Sequence, residues 1–119
     1  MEDKKVIWIT GASTGIGRAL AIKFAGKGWI VAASARRENL LKELNQINKN
    51  IYPFPVDVTN IDQCKIVSKD ILEQFKNIEI CVFCTGMHDP KSEKEFNLEK
   101  IRKIMEVNYF GVMNSINSI

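Results

Sequence analysis

The sequence predicts an α/β fold, a doubly wound parallel sheet with helices on both faces. Three observations predict it. A glycine-rich turn, Thr10 to Gly17, joins an apolar, β-prone run to a helical pattern. Apolar runs and helical spacings then alternate in the order β-α-β-α-β-α-β-α, and strands linked through helices pair in parallel. Pro53 and Pro55 mark the third run as an edge strand, since proline removes a ladder donor.

Each element has its own signal. Val6 to Ile9 is the first strand, within I-W-I-T-G-A-S-T-G-I-G-R-A-L-A-I over residues 7–22. Gly15 to about Lys27 reads as a helix, with Ile16, Leu20, Phe24 and the small Ala12 and Ala19 on its buried side and Gly26 and Gly28 ending it. Trp29 to Ala33 is the second strand, bounded by Arg36-Arg37-Glu38. Asn39 to Lys49 carries apolar residues at 40, 41, 44 and 47, a helical spacing. Ile51 to Val56 is the third strand.

Asn60 is placed as an N-cap. Behind it Ile61, Cys64, Val67, Ile71, Leu72 and Phe75 mark one helix face, ending near Asn77. Ile78 to Cys84 is the fourth strand, and Gly86 to about Asn97, with Pro90 and several charges, reads as a loop. Leu98, Ile101, Ile104, Met105 and Val112 restore helical spacing to the end, with Gly111 as a weak point. A phosphate-type turn after strand one implies strand order 3-2-1-4. That order also puts the proline-bearing strand at the edge.

Composition narrows the function classes. The 119 residues suit one domain, 1–119, and a hydrophobic fraction of 45% with 26% charged residues is that of an ordinary globular chain. A net charge of +3 argues for no nucleic-acid or membrane partner. No stretch approaches the ~18 apolar residues of a membrane span. Met1-Glu2-Asp3-Lys4-Lys5 is followed by only four apolar residues before Thr10, too few for a signal-peptide core. A cytoplasmic location is expected. Three cysteines, an odd number, form no disulfide framework. Cys81 and Cys84 make a C-x-x-C, but on a strand residues three apart face opposite ways. Buried structural thiols are expected there, with no metal site, and His88 reads as an ordinary loop histidine.

The chemistry centres on the turn. A strand, a glycine-rich turn and a helix N-terminus offer unpaired backbone N–H groups and a favourable dipole to a diphosphate. Gly11 allows the tight turn, Gly15 lets backbone approach phosphate closely, and Gly17 lets the helix sit against the strand. At the end of the second strand, dinucleotide folds that take NAD carry an acid for the ribose hydroxyls. Here Ala35 stands at about that position, followed by Arg36 and Arg37. Guanidinium pairs with a 2′-phosphate that a carboxylate would repel, which favours NADP(H) over NAD(H). Arginine also opposes the dipole at a helix start, so its placement wants a reason. Ser13 is positioned to add a hydrogen bond to the same phosphate.

The spacing T-G-x-x-x-G-x-G, carried by Thr10, Gly11, Gly15 and Gly17 around Ser13, Thr14 and Ile16, resembles the cofactor motif of the short-chain dehydrogenase/reductase family. The resemblance implies a Rossmann-like sheet and extends along the chain. Asp57-Val58 resembles the family's Asp-Val pair, whose carboxylate and backbone hold the adenine. Cys81-Val82-Phe83-Cys84-Thr85-Gly86 aligns with a segment usually ending N-N-A-G, so the cofactor contact at Gly86 carries over and any role of the paired asparagines does not. Val107-Asn108-Tyr109-Phe110-Gly111 resembles V-N-x-x-G, whose asparagine belongs to the Asn-Ser-Tyr-Lys catalytic set. In the complete family protein that asparagine holds a water linking the lysine to solvent.

The family's serine and Tyr-x-x-x-Lys have no match here. Tyr52 and Tyr109 are the only tyrosines, and neither has a lysine four residues on. The resemblance therefore implies the N-terminal half of an NADP(H)-dependent oxidoreductase, truncated after the helix that follows strand four. It would act on a small carbonyl or alcohol substrate, form a homo-oligomer, and be inactive as 119 residues alone. The alternative is a non-catalytic nucleotide-binding or regulatory module complete at this length. An extended, epimerase-type relative is weakened by the glycine spacing and V-N-x-x-G together.

Overall fold

The computed structural model describes residues 4–87 and 95–119. His88 and Pro90 lie outside the described residues. Four strands, β1 (Val6–Thr10), β2 (Ile30–Ser34), β3 (Ile51–Pro53) and β4 (Ile80–Phe83), form one parallel sheet in the order β3-β2-β1-β4. Helices α1 (Gly15–Gly26), α2 (Glu38–Ile47) and α3 (Ile61–Phe75) link them. The chain continues through α4 (Leu98–Met105), a π-helical turn (Glu106–Phe110) and α5 (Gly111–Asn117).

The alternation of β1 builds two cores. Ile7 and Ile9 point to one face, against Ala21, Ala25, Leu41 and Leu44 of α1 and α2. Val6 and Trp8 point to the other, against Cys64, Val67 and Ile71 of α3. Both faces are covered, so every β1 residue is buried, as in strands of doubly wound sheets. Trp8 is fully buried and needs a partner for its indole N–H, and it donates to Ser34 Oγ at 2.8 Å. Its ring meets Phe83 edge-on at 6.1 Å.

The strand order and the edge position of β3 are as the sequence predicts. Asn60 caps α3 by accepting from the Gln63 N–H at 3.0 Å. Several boundaries and faces differ. β3 has three residues rather than six, yet Phe54 and Val56 still donate to the Ala33 and Ala35 carbonyls at 2.8 and 3.0 Å. The N–H groups that Pro53 and Pro55 lack belong to the outward side, as suits an edge strand. β2 starts at Ile30 and β4 spans Ile80–Phe83.

The buried face of α1 is Gly17, Ala21 and Ala25, while Ile16 is 76% exposed and Ala19 is also exposed. Gly17 must face the turn it packs on, and this rotates the helix one residue away from the apolar count. On α3, Ser68 joins Cys64, Val67 and Ile71 inside, and Ile61 and Leu72 are exposed. Cys81 and Cys84 do pack on opposite cores, but half-buried, because β4 is outermost. The last helix is broken by the π turn, and Gly111, read as a weak point, is buried.

Candidate functional site

The carboxyl ends of all four strands open onto one cleft of about 740 Å³. Its floor is the turn after β1. Gly11 (φ +67°) and Gly15 (φ +58°) adopt backbone that other residues rarely reach. At Gly11 a Cβ would lie 2.5–2.6 Å from the backbone of Cys84 and Thr85, so this turn presses on the chain leaving β4. At Gly17 a Cβ would lie 2.2 Å from the Gly11 carbonyl oxygen, which is what brings α1 so close to the turn. At Gly15 a Cβ would meet nothing within 4 Å, so the backbone there faces open space in the cleft.

Helix α1 starts from an extended Thr14 whose side chain makes no capping bond, and its first turn carries no acid. Its leading N–H groups therefore face the cleft uncapped by side chains, with the positive end of the dipole behind them. Ser13, Thr14 and the exposed Ile16 line the same floor.

The second wall comes from the ends of β2 and β3. Ser34, Ala35, Arg36 and Arg37 line it, followed by Val56 to Thr59. Both arginines are exposed, and Arg37 is the N-cap of α2 without a capping bond. Neither makes an ion pair among the described residues. The Asp57 carboxylate accepts from the Thr59 N–H (3.0 Å) and hydroxyl (2.7 Å) through Oδ1. Those bonds, the hydroxyl's first, hold its pKa below the ordinary value against the opposing effect of burial, and the Arg36 charge adds to the lowering. Asp57 is thus a turn-former and a cleft-lining anion together.

The third wall is Cys84 to Met87 after β4, with Lys103, Glu106 and Val107 from the last helix. Burial raises the Cys84 pKa, so the group is a neutral thiol at pH 7. Asn108 stands beside this wall within the π turn. Its Oδ1 accepts from the Met87 N–H at 2.6 Å and its Nδ2 donates to the Met87 carbonyl at 2.9 Å. The amide keeps one lone pair and one N–H.

Of the residues singled out from sequence, Gly11, Ser13, Thr14, Gly15, Ile16, Gly17, Arg36, Arg37, Asp57, Val58 and Gly86 line the cleft. Thr10 lies beneath it, buried in β1, with a hydroxyl that has no partner among the described residues. Asn108 meets it only through Met87. Sequence reasoning missed Lys103 and Glu106. They lie one turn apart ahead of Asn108, but neither is three or four residues from it, so helical spacing from that residue would not have found them.

Among the described residues there is no cluster of three or more potential metal ligands, and no helix is long and apolar enough to cross a membrane.

A family model described as short chain dehydrogenase matches residues 5–119. Human dehydrogenase/reductase SDR family member 7 is 32% identical over 117 residues, which cover 92% of this chain and 34% of that protein. The chain thus spans about a third of that curated relative. A short-chain dehydrogenase from Streptomyces avermitilis superposes with a TM-score of 0.89 at 27% identity, over all of this chain and 44% of that one. ElxO, solved with NADP bound, superposes with a TM-score of 0.88 at 22% identity, over 97% of this chain and 48% of its own.

Proposed function

The chain belongs to the short-chain dehydrogenase family, and from that membership we propose that it forms the NADP(H)-binding part of an oxidoreductase acting on a small carbonyl or alcohol substrate. The observation that carries the proposal is the junction of two features in one cleft. An uncapped, acid-free helix start at Thr14–Gly17 suits a diphosphate, and Arg36 with Arg37, which make no ion pair among the described residues, offer guanidinium groups where a 2′-phosphate would lie. The bound NADP of ElxO, a protein of the same fold, supports the reading at the level of the fold.

The open space over Gly15 fits the close approach of phosphate oxygens to backbone. In this reading Gly11, Gly15 and Gly17 shape the floor, with Thr10 packed beneath it, and Ser13, Thr14 and Ile16 flank the diphosphate. Arg36 reads the 2′-phosphate and Arg37 adds charge. Asp57 and Val58 hold the adenine, and Gly86 borders the ribose. Hydride exchange is the chemistry that the nicotinamide supplies when bound.

Asn108 is the chain's share of the family's catalytic set, and its amide orients the Met87 backbone on the rim. The proton-transferring Tyr-x-x-x-Lys is not among these residues, so the 119 residues alone bind without turnover. Assembly as a homo-oligomer in the cytoplasm completes the proposal.

Calorimetric titration of the chain with NADPH and NADH tests it, using the parent and Arg36→Glu. Loss of a charge-assisted phosphate contact costs about 1.5–3 kcal/mol, so NADPH affinity is expected to fall roughly ten- to over a hundredfold while NADH is spared. Equal losses for both would remove Arg36 from the 2′-phosphate, and no binding of either would overturn the reading.

A further inference from the structure

The last helix bridges the two outer strands of the sheet. Asn108 grips the Met87 backbone beyond β4, and six residues on Asn114 Nδ2 donates to the Val58 carbonyl at 2.9 Å beyond β3. β3 and β4 are the opposite edges of the sheet. One helix therefore holds both rims of the cleft.

The Val58 end is built for close contact. Gly111 approaches so near that a Cβ there would lie 2.6 Å from Val58 Cγ2. Gly111 and Asn114 are three residues apart, on one helix face. Ser115 on the same face returns its hydroxyl to the Gly111 carbonyl at 2.8 Å, so the face closes on itself without a bulky group. The Ser68 hydroxyl of α3 donates to the Ser118 carbonyl at 2.7 Å and docks the far end. Val58 lies in a turn, where no ladder supplies a partner for its carbonyl, and it is nearly fully buried. A buried carbonyl must be paired, and Asn114 with the Cys64 thiol (3.7 Å) does it.

We infer that Asn114 is a positioning residue for nucleotide binding: through the Val58 carbonyl it sets the Asp57–Thr59 rim at the spacing that grips an adenine. The inference rests on the dinucleotide reading above, and it concerns the adenine end alone. The turn at Thr14–Gly17 is held by its own glycines and by β4, so the site for phosphate stands without Asn114.

The test compares adenosine 5′-diphosphate with inorganic diphosphate, each titrated into the full 119-residue chain by calorimetry. Asn114→Leu removes the donor at similar size, and Asn114→Ser is the milder variant should the first not fold. Either is expected to weaken the adenosine nucleotide at least tenfold and to leave inorganic diphosphate within twofold. Asn114→Gln, which keeps a donor, is expected to recover part of the loss. Equal weakening of both ligands would make Asn114 merely structural, and unchanged affinity for both would remove it from the site. Either result overturns the inference and leaves the dinucleotide reading intact. A parent chain that binds the nucleotide no better than diphosphate overturns both.

Discussion

β1 and β4 are hydrogen-bonded neighbours of similar composition, yet they live in different surroundings. All of β1, from Val6 to Thr10, is buried, whereas Ile80 of β4 is 38% exposed and Cys81, Val82 and Phe83 are only half-buried. β1 has a strand on each side and helices over both faces. Among the described residues β4 has β1 on one side only. The difference continues beyond the strands. The turn after β1 is locked by backbone contacts of Gly11 and Gly17, while the segment after β4 is held at Met87 by one side chain, Asn108. The rigid half of the cleft is thus made by backbone geometry and the other half by side-chain hydrogen bonds.

The largest break in this comparison is expected at Gly11. Gly11→Ala places a methyl into the backbone of Cys84–Thr85 at a positive φ, adding overpacking to conformational strain. A cost of about 3 kcal/mol or more is expected, a large part of a typical domain's stability. Gly15→Ala meets open space and pays the backbone strain alone, about 1–2 kcal/mol. Thermal unfolding of the two variants measures the contrast, and a similar fall in Tm for both would mean that the Gly11 contact is not what locks the turn.

Next come the strands. Ile7→Ala empties a fully buried position and is expected to cost about 2–5 kcal/mol. Val82→Ala, at a half-buried position, is expected to cost about 1 kcal/mol. Urea midpoints at constant slope check both, and equal costs would mean that β4 is covered in solution as β1 is.

The outer edge of β4 is a template for pairing with another chain, and the last helix adds exposed Leu98, Met105, Phe110 and Ile116. Self-association is therefore expected in sedimentation at low micromolar concentration. Ile80→Lys should shift the chain toward monomer, since charge on an edge opposes pairing. A parent chain that sediments as a monomer throughout would contradict this.

The smallest effect expected is at Asp57. Its folded-state pKa lies below its unfolded value, so it contributes stability above the ordinary carboxylate pKa near 3.9 and loses it as pH falls through the folded value. Asp57 is partly solvated, and screening keeps the contribution below about 1 kcal/mol. Asp57→Asn should lower stability at neutral pH by up to that amount and leave it little changed at acid pH, so that the acid limb of the profile flattens. An unchanged acid limb would show that the Thr59 bonds do not persist in solution.

What the sequence made legible follows the same divide. Turn chemistry is local, so Thr10 to Gly17, the Asn60 cap and the edge position of the Pro53 strand could be read from neighbouring residues. Strand order then came from where the turn sits in the alternation. At α1, Ala12, Leu20 and Phe24 do pack in or against the core as the sequence predicts, but Ile16 and Ala19 are exposed, because Gly17, with no side chain, is what the packing required. The π turn and the grips of Asn108 and Asn114 depend on Met87 and Val58, far away in sequence, and no local pattern announces them. The exposure of β4 was equally hidden, since an apolar run does not say how many neighbours it will have.

The central claim is that the cleft over the glycine turn takes a nicotinamide dinucleotide phosphate. Titrating the isotopically labelled chain with NADPH and following backbone amide resonances tests it most directly. The account predicts saturable shifts confined to Ser13–Gly17, Arg36–Arg37, Asp57–Thr59 and Gly86–Met87, with the amides of Lys5 and Gly28 at the opposite end of the sheet unmoved. Shifts that fail to saturate, or that centre away from the Thr14–Gly17 helix start, would contradict it.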